Sequence, residues 1–354
     1  MLRVVCVLLF VLFPHHVECG RNKPQDRDLL QTRASPTYVK RLRDAFSHLT
    51  LWAQRNNVDF GRACYSSELM SKLLSTYIQQ CYEANESFLT VRHAILSVQW
   101  FFPVFVNCLN EPWQALKSWW SEVPWRSRVP IPLKALQLVM ISMLMCSASV
   151  ASHIRKYQYV ALQFLCMLGF HGLLRPGELF NLSSRDLMVC YINGRLQLVV
   201  SIMNPKTRQW LGRCQHVLID HQPTCEWAKW FLASLPALTP IWPFGVGTGR
   251  KLFRQICASR GFGSNTFTLA SLRTGGATYL YQCNQDVTRL QFMGRWANTR
   301  TVKIYVQEAI STLVTAKLDI KDDDPVLISA SFLLKPPRVD LLSFIGRHGK
   351  SFGF

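Results

Sequence analysis

Three residues in the last third of the chain suit chemistry on a phosphodiester: Arg273, Trp296 and Tyr305. They lie in the run Thr268–Glu308, TLASLRTGGATYLYQCNQDVTRLQFMGRWANTRTVKIYVQE. A phenol can attack phosphorus, a fixed guanidinium can hold the non-bridging oxygens, and an indole N–H can donate to developing charge. Their spacing puts them on separate elements. Arg273 falls early in one helix, and Gly294-Arg295-Trp296 closes a second. Tyr305 follows nine residues after Trp296, on a third short helix that Thr299 is placed to cap. The same residue types also serve as a salt-bridging arginine and two core aromatics. The rest of the chain has to decide between these uses.

Two upstream stretches are suited to position such a site. In Gly172–Leu187 (GLLRPGELFNLSSRDL), Arg175 and Glu178 are three apart and share a face if a helix continues past Pro176. Arg175 then stands at a helix start, beside unpaired backbone N–H groups that favour phosphate. The alternative is a surface Arg–Glu pair. Next, Leu187–Ile192 and Arg195–Ile202 flank Asn193-Gly194 and read as a β-hairpin. A basic turn, Asn204-Pro205-Lys206-Thr207-Arg208, leads to a third strand at Cys214–Asp220. Lys206 at that turn is suited to donate a proton or to enter a groove, or it is a plain turn lysine. Helices are expected at His221–Leu235 and Gly249–Ser259.

Composition narrows the partner. Of 354 residues 49% are apolar, which excludes a disordered chain and allows a sizeable core. Lysine and arginine total 40 against 21 acids, a net charge of +19 that favours a polyanion, nucleic acid before anionic membrane. The 12 cysteines form no CxxC pair and no zinc-type spacing, and there is no Walker loop or internal repeat. Cys146, Cys166 and Cys190 lie in apolar runs and read as buried thiols of a reducing compartment.

The chain divides by composition. Residues 1–20 hold Arg3 and an apolar run, the outline of a secretory signal peptide or of an apolar leader without that role. Residues 21–36 form a basic arm. Residues 37–125 read as a helical bundle, with Val39, Leu42, Phe46, Leu49 and Leu51 near helical period among Lys40, Arg41, Arg43 and Arg55. The Pro- and Arg-rich break Pro124–Pro132 is a domain boundary. A second domain runs over 129–315 and a tail over 316–354. Ala135–Ser152 carries no charge and Tyr157–Leu174 little, so both are weighed as membrane spans and as core helices. Their serines, Gln163 and His171 favour core helices.

The ordered series Arg175-x-x-Glu178, Lys206 in a β-turn, Leu272-Arg273, Gly294-x-Trp296 and Tyr305 resembles the tyrosine recombinase (phage integrase) family, in the versions found in eukaryotic mobile elements. The match spans about residues 37–315. The resemblance implies a mainly α (α+β) chain: a helical core-binding domain, then a catalytic domain with a small three-stranded antiparallel sheet, together clamping double-stranded DNA. It implies that Arg175 and Arg273 hold the scissile phosphate, with Glu178 supporting, and that Lys206 protonates the leaving 5′ oxygen. Trp296 stands where the family carries His or Trp. Tyr305 would attack, giving a 3′-phosphotyrosine link. No metal or cofactor is implied; a homo-tetramer on DNA and a nuclear or nucleoid location are. One departure stands out: the His or Lys three residues before the second arginine is Ala270 here, so one acid/base group is missing. A catalytically degenerate DNA-binding relic is the alternative it favours. A secreted or membrane protein is the third reading.

Overall fold

The computed structural model describes residues 34–123, 128–203, 205, 212, 214–263, 266–318, 325–328, 330 and 334–346. The leader and most of the basic arm lie outside these residues. The chain forms two compact units, Met1–Arg126 and Ser127–Phe354.

The first unit is helical: α1 Pro36–Arg55, α2 Phe60–Ala63, α3 Ser67–Glu83, α4 Phe88–Phe101 and α5 Asn110–Glu122. Ser35 starts α1, its hydroxyl accepting from the Tyr38 N–H at 3.3 Å, and Pro36 fits the first turn. The buried face of α1 is Leu42, Ala45, Leu49 and Ala53, whereas the expected core residue Leu51 is 50% exposed. Alanines close the stripe in its place, because they let α1 approach its neighbours. Lys40, Arg41, Arg43 and Arg55 are all exposed.

The second unit opens with α6 Leu133–Ser149 and α7 His153–His171, the two apolar runs. No helix among the described residues is long and apolar enough to cross a membrane. Both are core helices, and α7 is buried along most of its length because it packs against α6 and against later helices on other sides. A short helix α8, Pro176–Leu179, leads into an antiparallel sheet in the order β1 Leu187–Ile192, β2 Arg195–Met203, β3 Cys214–Ile219. Asn193 and Gly194 turn the hairpin at φ 50° and 74°, the positive pair that a two-residue turn requires, so Ile192 faces Arg195. The next helices are α9 Gln222–Ser234 and α10 Val246–Ser259, the latter starting before the expected Gly249. They are followed by α11 Leu269–Asn284, α12 Val287–Gly294, α13 Thr299–Tyr305 and α14 Glu308–Lys317.

Three sequence expectations change. The last residues do not stand apart as a tail from 316: Ala330, Leu334, Leu341 and Ile345 are buried in the core of the second unit. Two indoles on α9 need acceptors and find them there, Trp227 Nε1 donating to the Leu334 carbonyl at 2.6 Å and Trp230 Nε1 to Val339 at 2.7 Å. Asn298, not Thr299, caps α13, its side-chain oxygen accepting from the Thr301 N–H at 3.0 Å. Cys166 is buried, but Cys146 and Cys190 are half-buried, and the ten described cysteines are all free thiols.

Candidate functional site

α11 is the element on which the site is built. It opens at Thr268 in a capping box, Ser271 Oγ accepting from the Thr268 N–H at 3.1 Å. Its first turns are buried from Leu269 through Thr278 apart from the half-buried Ala270. The pair Gly275-Gly276 explains how it gets there. A Cβ on Gly275 would collide with the Ile131 carbonyl, and one on Gly276 with the Phe170 carbonyl of α7. The glycines therefore serve backbone-to-backbone packing, which outweighs their helix-propensity cost of about 1 kcal/mol each.

This packing fixes Arg273, which is 2% exposed. Its two terminal nitrogens donate to the carbonyls of Leu173 and Gly294, and its Nε has no hydrogen-bond partner among the described residues. The guanidinium carbon lies 4.8 Å from the Trp296 ring centre and 5.3 Å from that of Tyr305, and these two rings are 4.7 Å apart. Burial, then the charges of Arg175 and Arg295, push the Arg273 guanidinium down to about 9, still charged at neutral pH.

Arg175 precedes the short α8. Its own N–H donates to Glu178 Oε2 at 2.8 Å and its Nη1 to Glu178 Oε1 at 2.8 Å. That carboxylate occupies the helix start expected to receive a phosphate, and α8 is a single turn. What Arg175 can offer an anion is its side chain, 20% exposed beside a cleft of about 630 Å³.

Sequence reasoning missed Arg295. It is 6% exposed at the end of α12, where its Nη2 donates to Glu178 Oε2 at 2.8 Å and to the Leu173 carbonyl at 3.4 Å. Its Nε and Nη1 make no hydrogen bond among the described residues, and neither does Trp296 Nε1. Burial works against the charge of Glu178, but the bond and charge of Arg295, then Arg175, hold its carboxyl below the usual carboxylate range. Burial lowers the Arg295 guanidinium, against the raising effect of Glu178. Both Arg295 (φ 53°) and Leu173 (φ 51°) sit in the left-handed region, at about 1–3 kcal/mol each for non-glycine residues.

The structure thus brings together Arg175, Glu178, Arg273, Trp296 and Tyr305, and adds Arg295. Tyr305, half-buried at the end of α13, is held by its backbone: Thr278 of α11 donates its hydroxyl to the Tyr305 carbonyl at 3.2 Å. Lys206 lies outside the described residues. Ala270 lines a separate cleft of about 520 Å³ with Arg128, Pro176, Gly177, Arg250 and Arg254. Two guanidiniums, Arg175 and Arg295, pair with one carboxylate, Arg273 adds a third positive charge, and four buried nitrogens have no acceptor among the described residues. Burying such groups unpaired costs several kcal/mol, and an oxyanion would satisfy both the charge and the donors.

No family model and no curated protein matches the chain. Solved structures to which it is similar include the XerH site-specific recombinase bound to palindromic difH substrate, at 15% identity and TM-score 0.47, covering 72% of each chain. The XerA recombinase is similar at 16% identity and TM-score 0.36, covering 82% of this chain and 95% of that one. The Tn1549 transposon integrase in complex with transposon right-end DNA is similar at 13% identity and TM-score 0.45, covering 79% and 98%. At these values the likenesses assign no residue a role.

Proposed function

We propose that the protein is a DNA strand transferase, a site-specific recombinase or integrase that cleaves and rejoins DNA through Tyr305. The observation that carries this is the half-buried phenol ring packed on Trp296 and beside Arg273, within a cluster whose excess charge and free donors suit one phosphodiester. The Tyr305 oxygen attacks phosphorus, a Tyr–O–P bond forms, and the bond to the 5′ oxygen breaks. Arg175 and Arg273 hold the non-bridging oxygens, and Trp296 Nε1 donates to the charge that develops. By its place in the ordered series, Lys206 gives its proton to the leaving 5′ oxygen. Ala270 offers no proton acceptor, so the phenol proton passes to solvent water. The phosphodiester count is unchanged, so a 5′-hydroxyl attacking the phosphotyrosine rejoins the strand without an energy source.

Duplex DNA is the partner this reading requires. It also entails pairing of cleavage events, for which a homo-tetramer assembled on DNA is the simplest arrangement, and a nuclear or nucleoid location.

The test uses a pool of randomised duplexes carrying a single nick, which traps the covalent step by releasing the short fragment that carries the 5′-hydroxyl. Wild-type protein should yield an adduct that survives denaturing electrophoresis, and Tyr305→Phe, which keeps the ring and loses only the hydroxyl, should yield none. An adduct that persists in Tyr305→Phe excludes Tyr305 as the nucleophile. A wild type that binds the pool but forms no adduct excludes strand transfer.

A further inference from the structure

The guanidinium of Arg295 has two sides in different circumstances. Nη2 is anchored, to Glu178 Oε2 at 2.8 Å and to the Leu173 carbonyl at 3.4 Å. Nε and Nη1 have no hydrogen-bond partner among the described residues, although the residue is only 6% exposed. Arg273 also donates to the Leu173 carbonyl and leaves its own Nε without a hydrogen bond among the described residues. Glu178 also holds Arg175, so one carboxylate links Arg175 and Arg295. A side chain needed only to neutralise Glu178 would not require a second buried guanidinium beside Arg273, because Arg175 already pairs with that carboxylate. Nor would the chain accept a left-handed φ of 53° at an arginine without return.

We propose that Arg295 is a third oxyanion-binding guanidinium of this site, presenting its Nε and Nη1 to the same tetrahedral phosphate that Arg175 and Arg273 hold. The inference rests on the reading of the site as a phosphodiester site, and it deepens it. Arg295 supplies positive charge and two donors where Ala270 supplies none, so the cluster stabilises the pentacoordinate phosphorus by fixed charge in place of a further proton-transfer group. Glu178 is the positioning residue that aims two of the three guanidiniums.

The experiment uses the full chain and inorganic tungstate, a tetrahedral dianion, followed by calorimetric titration. Arg295→Lys keeps the charge and can still reach Glu178, but an ammonium cannot present a second planar edge. It should weaken tungstate binding by about tenfold or more, the scale of one charge-assisted contact. Tungstate binding by Arg295→Lys equal to that of wild type overturns the proposal, and so does a wild type that binds no tungstate. Because a buried substitution can unfold the protein, a second measurement uses wild type alone. In protein labelled with ¹⁵N-arginine, the Arg295 Nε–H resonance should move on adding tungstate. A resonance that stays fixed while those of Arg175 and Arg273 move overturns the proposal. Tungstate binding needs no cleavage. A protein that forms no DNA adduct yet binds tungstate through Arg295 keeps this inference and loses the strand-transfer reading, and the reverse result does the opposite.

Discussion

The chain uses its arginines in two opposite ways. On α1 of the first unit, Arg41, Arg43 and Arg55 stand exposed. In the second unit, Arg273 and Arg295 are 2% and 6% exposed, and their donors are partly spoken for and partly free. An exposed guanidinium costs little to place and gains little by itself. A buried one costs several kcal/mol, and the glycines of α11 and the left-handed residues add to that cost. A chain that meets such a cost does so for geometry. On the proposed function, the difference separates affinity, which many solvated charges would supply over a polyanion, from chemistry, which a few fixed ones would supply at a single phosphate.

The sharpest way to break this division is Arg273→Lys. The ammonium keeps the charge but cannot reach the Leu173 and Gly294 carbonyls and a phosphate together. Adduct formation on the nicked pool should fall by about 10²–10³, the usual effect of losing one fixed donor to a developing oxyanion. Duplex binding measured by fluorescence anisotropy should not change. If binding falls in step with cleavage, buried and exposed arginines are not doing different jobs.

Glu178→Gln comes next, because it removes the one carboxylate of the cluster. Breaking a buried pair typically costs about 3–5 kcal/mol; the lower end, about 3 kcal/mol, is expected here since Arg175 reaches solvent. The sign with pH follows from the depressed folded-state value. The carboxylate contribution is complete above its ordinary value of 4.5 and is lost as pH falls through the lower folded value. The stability gap between wild type and Glu178→Gln, from urea melts, should therefore be flat near neutrality and close in acid. Buried His171 and half-buried His221, stacked on each other, also weaken the fold in acid, burial pushing His171 well down and His221 down to about 4. That loss is common to both proteins and cancels in the gap. A gap that widens in acid would mean that Glu178 is not the charged partner.

How much of this was legible in the sequence depends on how local the determinant is. The hairpin was legible because Asn193-Gly194 dictates its turn within two residues, and α7 because its apolar run is long. Arg175, Arg273, Trp296 and Tyr305 were legible as an ordered series, and the fold does bring them together. Arg295 was not, since a basic residue at a helix end ordinarily faces solvent and complements the dipole. Its partner Glu178 is 117 residues away in the chain. The packing of Leu334 and Leu341 on the core was hidden for a similar reason: the acceptors that Trp227 and Trp230 use lie more than a hundred residues on in the chain. The choice of Asn298 over Thr299 as cap turns on a one-residue shift between two good capping types.

The smallest expected effect is on the other side of the comparison. Arg41→Ala and Arg43→Ala change exposed positions on α1 whose neighbours Leu42 and Ala45 carry the packing. Each should alter stability by less than about 0.5 kcal/mol, as surface substitutions do. If each arginine neutralises a phosphate, the slope of log binding constant against log salt should become shallower by about 0.9 per substitution, because each contact releases one condensed counterion. The loss should be uniform over the sequences of the randomised pool, since phosphate contacts carry no base information. Adduct formed per bound protein should stay at the wild-type level. Anisotropy titrations at several salt concentrations read the slope, and the nicked pool reads the adduct at saturating protein. An unchanged slope would remove α1 from the DNA contact and leave affinity to other basic surfaces. A lower adduct yield at saturation would show that exposed charge on the first unit also shapes the chemical step, and the division between the two kinds of arginine would fail from its weaker side.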